Sequence, residues 1–98
     1  MSGEHSALSA MDVVEIPRQF RLQWEPAQQA YVLLYPEGMV KLSQSAGEIM
    51  KRIDGKLSVA GVVKNLEDSF PGADLRQDVM KFMEVAYERG WIRPKNAA

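Results

Sequence analysis

The sequence contains no cysteine and only one histidine, His5. A chain without thiols carries no disulfide, no thiolate nucleophile, no cysteine zinc site and no iron–sulfur cluster of its own. A lone histidine cannot build a Ser-His, Cys-His or multi-histidine metal arrangement. The glycines are isolated and form no phosphate-binding G-x-G-x-x-G string. The sequence therefore predicts no catalytic residue, no metal site and no cofactor.

Long hydrophobic runs are also missing. The longest uninterrupted apolar stretch covers residues 30–35, whereas a membrane-spanning helix needs about 20 apolar residues. Residues 1–11 show no basic segment followed by an apolar one, which a secretory signal would have. We therefore expect a cytoplasmic protein without membrane contact.

Three short segments in the first half of the chain favour β-structure. Phe20, Leu22 and Trp24 alternate with polar residues, which is the period of a strand with one buried face. Residues 30–35 and 39–42 are rich in apolar and β-branched side chains, and Pro36-Glu37-Gly38 between them suits a turn. The pattern predicts a three-stranded antiparallel meander.

Two helices are predicted after the strands. Ser43 or Ser45 caps the first, and Asp54-Gly55 ends it. Ser58 caps the second, which ends before Phe70-Pro71-Gly72. Apolar residues at i, i+3, i+4 and i+7 give the first helix one buried face, which consists of Ala46, Ile49, Met50 and Ile53.

A third, longer helix is predicted to begin at Asp74, with Gln77 at the capping-box position, and to end before Gly90. Spacing alone does not decide whether its second apolar stripe is further core or one side of a peptide groove. The inward stripe is predicted to be Leu75, Val79, Phe82 and Ala86. The second stripe is Met80, Met83 and Tyr87, and Arg76 lies one turn before Met80 on the same side.

The order of the predicted elements indicates the fold class. Three strands followed by three helices indicate an α+β, winged-helix-like fold, with helices packed on a three-stranded antiparallel sheet. Residues 15–93 are expected to form a single domain. Residues 1–14 are predicted to be a disordered leader, and residues 94–98 a flexible tail.

Several stretches of the sequence resemble the PqqD family of pyrroloquinoline quinone (PQQ) biosynthesis. The most specific are Tyr-Val-Leu-Leu-Tyr-Pro-Glu-Gly-Met-Val-Lys-Leu at 31–42 and Ile-Asp-Gly at 53–55. Ser-Ala-Gly-Glu-Ile-Met at 45–50 and the closing Gly-Trp-Ile at 90–92 agree as well. The resemblance extends over residues 15–93.

The resemblance implies a peptide chaperone that is not an enzyme. Members of the family bind the ribosomal precursor peptide PqqA and present it to PqqE, a radical S-adenosylmethionine (SAM) enzyme. The same fold recurs as the leader-recognition element of other peptide-modifying systems, where the leader adds a strand beside the third strand and lies against the third helix, which is β-augmentation. The implied peptide-binding residues are Met39, Val40, Lys41 and Leu42 on the strand and Arg76, Met80, Met83 and Tyr87 on the helix.

Two other functions stay open from the residues alone: a winged-helix transcriptional regulator that binds DNA, and a protein–protein scaffold without a peptide groove. Lys and Arg number 12 against 13 Asp and Glu, and acidic residues outnumber basic ones between Asp74 and Arg89. Because binding to phosphates needs an excess of positive charge, we expect no nucleic-acid partner. An open strand edge also allows a homodimer.

Overall fold

A three-stranded meander and three helices make up most of the fold, as the sequence predicts. The computed structural model describes residues 8–95. Within them no helix is long and apolar enough to cross a bilayer. The elements are β1 (Val14–Glu15), β2 (Arg21–Glu25), β3 (Ala30–Tyr35), β4 (Gly38–Lys41), α1 (Gln44–Met50), α2 (Val59–Ser69), α3 (Arg76–Glu88) and β5 (Arg93–Pro94).

The sheet has the order β2-β3-β4, with both pairs antiparallel. Leu33 lies at its centre, opposite Leu22 on one side and Val40 on the other. These three side chains share one face because opposed residues point the same way and neighbours along a strand alternate. That face packs on the helices, and Leu33 has no exposed surface.

The helices complete the core through the predicted apolar stripe of α1 and through the buried face of α2, which consists of Val59, Val62, Val63 and Leu66. Burial of this apolar surface is the main stabilising contribution, at about 25 cal/mol per Å². The largest fully buried side chains are Leu33, Met50, Met83 and Ile92.

Serine hydroxyls cap the first two helices. The Ser43 side chain accepts a hydrogen bond from the Ala46 N–H at 3.1 Å, so Ser43 rather than Ser45 is the N-cap of α1. Ser58 does the same for the Gly61 N–H at 3.0 Å, as predicted for α2. Each hydroxyl satisfies one of the N–H groups that lack a partner within the helix.

Arg52 fastens α1 to α2. Its guanidinium donates to the Glu48 carboxylate at 2.8 Å, to the Asn65 side-chain oxygen at 2.7 Å and to the Ser69 hydroxyl at 3.2 Å. The side chain is only 13% exposed, so these bonds are partly shielded from water. The planar guanidinium holds three acceptors in one fixed geometry, which keeps the two helices in register.

Asp54 closes the turn between α1 and α2. Its carboxylate accepts hydrogen bonds from the Lys56 and Leu57 backbone N–H groups at 2.8 and 2.9 Å. These bonds, that from Leu57 first, hold the pKa of Asp54 below its ordinary value. The pKa of Glu48 is lowered as well, chiefly by the hydrogen bond from Arg52.

These lowered pKa values predict how stability depends on pH. A carboxyl whose pKa is lower in the folded chain stabilises the fold above its unfolded pKa, and that stabilisation is lost as the pH falls through the folded pKa. The melting temperature should therefore fall between about pH 4.5 and pH 2. Asp54→Asn keeps a side-chain oxygen acceptor but does not titrate, so its melting temperature should fall less over this range. Parallel curves for the variant and the wild type would contradict the role of Asp54.

The predicted start of the third helix is wrong. Leu75, not Asp74, is the N-cap of α3, and no side chain of the predicted capping box bonds there. Instead the Glu67 carboxylate, from α2, accepts the Leu75 N–H at 2.9 Å. A carboxylate from another helix satisfies the same kind of backbone donor that a local cap would satisfy.

The predicted disorder of residues 1–14 is wrong for the part that the structure describes. Leu8 is 6% exposed, and its N–H donates to the Glu84 carboxylate at 3.1 Å. Val14 is fully buried and pairs with Pro94 in the β1–β5 ladder. The domain therefore includes residues 8–14 as well as Pro94 and Lys95. Residues 1–7, with His5, and residues 96–98 lie outside the described residues.

Candidate functional site

β4 forms one edge of the meander. In the described residues it pairs with β3 on one side and with no strand on the other. Met39 is 55% exposed there, and Val40 is half-buried against the core. A strand with one unpaired side offers its backbone groups to another extended chain.

The hydrogen-bond pattern fixes which residues of β4 face outward. The Leu42 N–H donates to the Tyr31 carbonyl at 2.9 Å. In an antiparallel ladder, residues whose backbone groups bond to the neighbouring strand alternate with residues whose backbone groups point away from it. Leu42 is of the first kind, so Val40, opposite Leu33, is also bonded to β3. The backbone N–H and C=O groups of Met39 and Lys41 therefore point away from β3. We call these four groups the open edge of β4.

An apolar groove with a volume of about 490 Å³ begins beyond the end of β4. It lies between the start of α1, the end of α2 and one side of α3, and we call it the α1/α3 groove. Phe70 lines it and is 47% exposed. The groove is lined by Ser43, Gln44, Ser45, Ala46, Glu48, Ile49, Leu66, Phe70, Ala73, Leu75, Asp78, Val79 and Phe82.

The side of α3 that lines this groove follows from helix geometry. Val79, Met83 and Ala86 face the core and are at most 2% exposed. At about 100° per residue, Phe82 lies about 60° from Val79 on one side of this core face, whereas Met80 lies about 100° away on the other. Phe82 faces the α1/α3 groove and Met80 does not.

The helix residues implied by the family resemblance do not form one accessible surface. Met83 has no exposed area and belongs to the core, so in this structure it cannot line a groove. Arg76 and Met80 line a different depression of about 480 Å³, shared with Lys64 of α2. Tyr87 is half-buried against the core. Of the predicted strand residues, Met39 and Lys41 form the open edge, Val40 faces the core and Leu42 is 4% exposed.

The charges that line the α1/α3 groove are all negative. Glu48 and Asp78 are its only charged residues, with no Lys or Arg in the lining. Glu48 is bonded to Arg52 at 2.8 Å and lies 3.6 Å from Lys51, and its lowered pKa keeps it ionised at neutral pH. In residues 8–95 no three His, Cys, Asp or Glu side chains lie close enough together to hold a metal ion.

Comparison with known proteins identifies the family. The family model described as "Coenzyme PQQ synthesis protein D (PqqD)" matches residues 30–92. The chain belongs to the PqqD family. A relative from Azotobacter vinelandii, named "PqqA binding protein", is 52% identical over 82 residues, which cover 83% of this chain and 89% of the relative. A protein of the same name from Acinetobacter baylyi is 53% identical over 76 residues, 76% of this chain and 77% of that one.

A solved PqqD structure has the same fold. It is the solution NMR structure of the PqqD part of Methylobacterium extorquens PqqCD, described as a functional, stand-alone recognition element for ribosomally synthesized and post-translationally modified peptides. It is 26% identical in sequence, with a TM-score of 0.75 over 92% of this chain and 98% of that one. The PqqD assignment and the winged-helix-like arrangement of sheet and helices are thus confirmed.

Sequence reasoning missed the residues that this PqqD-family chain presents in its groove. Leu75, Asp78, Val79 and Phe82 follow the spacing i, i+3, i+4 and i+7, as a core stripe does. Leu75, Val79 and Phe82 belong to the predicted inward stripe: Val79 is buried in the core, whereas Leu75 and Phe82 are half-buried and line the groove. The available signal was the carboxylate of Asp78 beside an otherwise apolar stripe, because a face that is wholly core excludes an unpaired charge.

Proposed function

We propose that this chain binds the precursor peptide PqqA by strand addition. The open edge of β4 pairs with the peptide backbone, and the α1/α3 groove receives apolar side chains of the same segment. The proposal rests on the outward backbone groups of Met39 and Lys41 and on the apolar groove that begins at Ser43, two residues after Lys41. Relatives named PqqA binding proteins support the identity of the peptide.

Backbone and side-chain contacts have different roles in this mode of binding. The two outward residues of β4 supply up to four backbone hydrogen bonds, each contributing about 0.5–1.5 kcal/mol. Backbone hydrogen bonds form with any peptide sequence. Side-chain contacts in the groove must therefore set the register of the peptide. Ordering a disordered segment costs about 2–5 kcal/mol. We expect a dissociation constant of ~1 μM or somewhat below it for the complex with the peptide.

We further propose that the chain presents the bound peptide to the radical SAM enzyme PqqE and does not react with the peptide itself. Strand addition holds only the segment beside β4, so the remainder of the peptide stays free to enter a second protein. Holding a peptide near an enzyme raises its effective concentration to about the millimolar range without any contact to the reacting atoms. Membership of a PQQ synthesis family supports this role.

An NMR titration tests the site. Isotope-labelled protein is titrated with synthetic PqqA peptide, and the amide shifts are followed. We expect the largest shifts at Met39 and Lys41 and around the α1/α3 groove, and small ones at Arg76 and Met80 in the other depression. Largest shifts on β2, the opposite edge of the meander, would refute the site. No shift at high micromolar peptide would refute binding by the isolated chain.

The oligomeric state is measured separately, by sedimentation with and without the peptide. A homodimer through β4 would cover the same backbone groups of Met39 and Lys41. If such a dimer forms, peptide and second copy compete, so sedimentation at two protein concentrations should show less dimer when peptide is present.

A further inference from the structure

We infer that Asp78 makes the α1/α3 groove selective for a peptide segment with a lysine or arginine next to its apolar residues. The inference rests on the proposed binding of PqqA in this groove and specifies which chemistry in the peptide is read. Asp78 would pair with the basic side chain while the neighbouring apolar side chain enters the groove.

The charge of the lining favours a basic residue in the peptide. Of the two carboxylates, Glu48 is already neutralised by Arg52 and Lys51. Asp78 takes part in none of the ion pairs found among residues 8–95. The groove therefore offers one carboxylate without a cationic partner and no cation for an acidic peptide. An aspartate or glutamate in the peptide would be repelled, and a lysine or arginine attracted.

Asp78 lies next to the apolar part of the groove lining. It lies on the same side of α3 as Leu75 and Phe82, at the outer margin of the groove, about 100° from Val79 on the helix surface. A peptide that fills the groove displaces water from this margin, which strengthens an ion pair formed there.

Strand geometry then limits where the basic residue stands in the peptide. Side chains of a strand point alternately to opposite faces, so residues two apart share a face at about 6.6–6.8 Å. Asp78 and Phe82 are four residues apart, a rise of about 6 Å along α3. A basic residue two positions from the apolar one fits this spacing, whereas one at the adjacent position points away.

A structural role of Asp78 in the free protein also exists. The residue stands in the first turn of α3, where a negative charge favours the helix. That contribution is the same whether a peptide is bound or not, so it changes stability but not the coupling between Asp78 and one peptide residue. A double-mutant cycle isolates the coupling.

The experiment measures the affinity of synthetic PqqA peptides by calorimetry. Each lysine or arginine of the peptide is replaced in turn by norleucine or citrulline, and each peptide is titrated into wild type, Asp78→Asn and Glu88→Gln. Glu88→Gln removes the same charge from the exposed end of the same helix, outside the groove, and is the control for net charge.

We expect Asp78→Asn to weaken binding of the unmodified peptide roughly 3- to 10-fold, and Glu88→Gln less than twofold. Replacement of one particular lysine or arginine of the peptide should weaken binding to the wild type by a similar factor. The same replacement should leave the affinity for Asp78→Asn unchanged. Equal losses for both protein variants, or losses that simply multiply for every peptide, would overturn the inference. If Asp78→Asn binds like the wild type while NMR shifts still map to β4, only this selectivity fails. No binding to the wild type would overturn the proposed function too.

Discussion

Lys41→Pro is expected to weaken PqqA binding at least tenfold while the domain stays folded. Proline lacks the backbone N–H that points outward from β4, and its ring occupies the space of the incoming strand. The loss combines one hydrogen bond, about 0.5–1.5 kcal/mol, with a steric conflict. Proline is tolerated on edge strands when its N–H side faces solvent, so the sheet should survive. Calorimetry with synthetic PqqA, together with a thermal melt, measures both effects.

Lys41→Ala is the matched control, because it removes the same side chain and keeps the N–H. It should bind within about threefold of the wild type, as expected for loss of one exposed charge. Val40→Pro should instead lower stability, since the Val40 N–H is bonded to β3 and its side chain packs on the core. Equal peptide affinity of the proline and alanine variants at position 41 would disprove strand addition at this edge.

Met83→Asp is expected to lower the free energy of unfolding severely. The Met83 side chain has no exposed area, and an unpaired carboxylate there has no water and no partner. A cost of about 4 kcal/mol or more is typical of such a change. The free energy of unfolding of a domain this size is about 5–15 kcal/mol in total. Urea denaturation followed by circular dichroism gives the value.

Met39→Asp introduces the same charge at a position that is 55% exposed. Its free energy of unfolding should stay within about 0.5 kcal/mol of the wild type, as for most surface changes. If Met83 instead lined an open groove, Met83→Asp would fold normally and lose peptide affinity. A stable, folded Met83→Asp variant would therefore show that the core assignment is wrong.

Local signals account for most of the fold. The alternation in β2, the turn between β3 and β4 and the serine caps of α1 and α2 each depend on neighbours within a few residues. Such interactions can be predicted from the sequence because helix or strand geometry fixes the position of the partner residue. The order of the elements then indicates that the helices pack on the sheet. It does not give the side of α3 that stays accessible.

That side could not be predicted because two stripes overlap on α3. Val79 and Ala86 belong to the predicted inward stripe and Met83 to the predicted groove stripe, yet all three face the core together. The accessible residues are those that flank this face. Which flank is open depends on where α1 and α2 lie, and periodicity within one helix carries no information about its neighbours.

Contacts between distant residues explain the remaining errors. The start of α3 is fixed by Glu67, eight residues before Leu75, and Leu8 is held by Glu84, 76 residues away in sequence. No local sequence pattern indicates such distant hydrogen-bond partners. A polar N-terminal segment that contains glycine and serine is typical of mobile chain ends. The burial of Leu8 and Val14 shows that residues 8–14 are instead part of the folded domain.

The pairing of β1 with β5 constrains the order of folding during synthesis. Glu15 and Arg93 form an ion pair at 2.8 Å across this ladder and lie 78 residues apart in sequence. At about 5–20 residues per second, the ribosome completes the second partner roughly 4–16 s after the first. Throughout that interval Val14 lacks the strand that pairs with it. The domain therefore closes only when its last strand has been made, and its slowest contacts join the two ends of the chain.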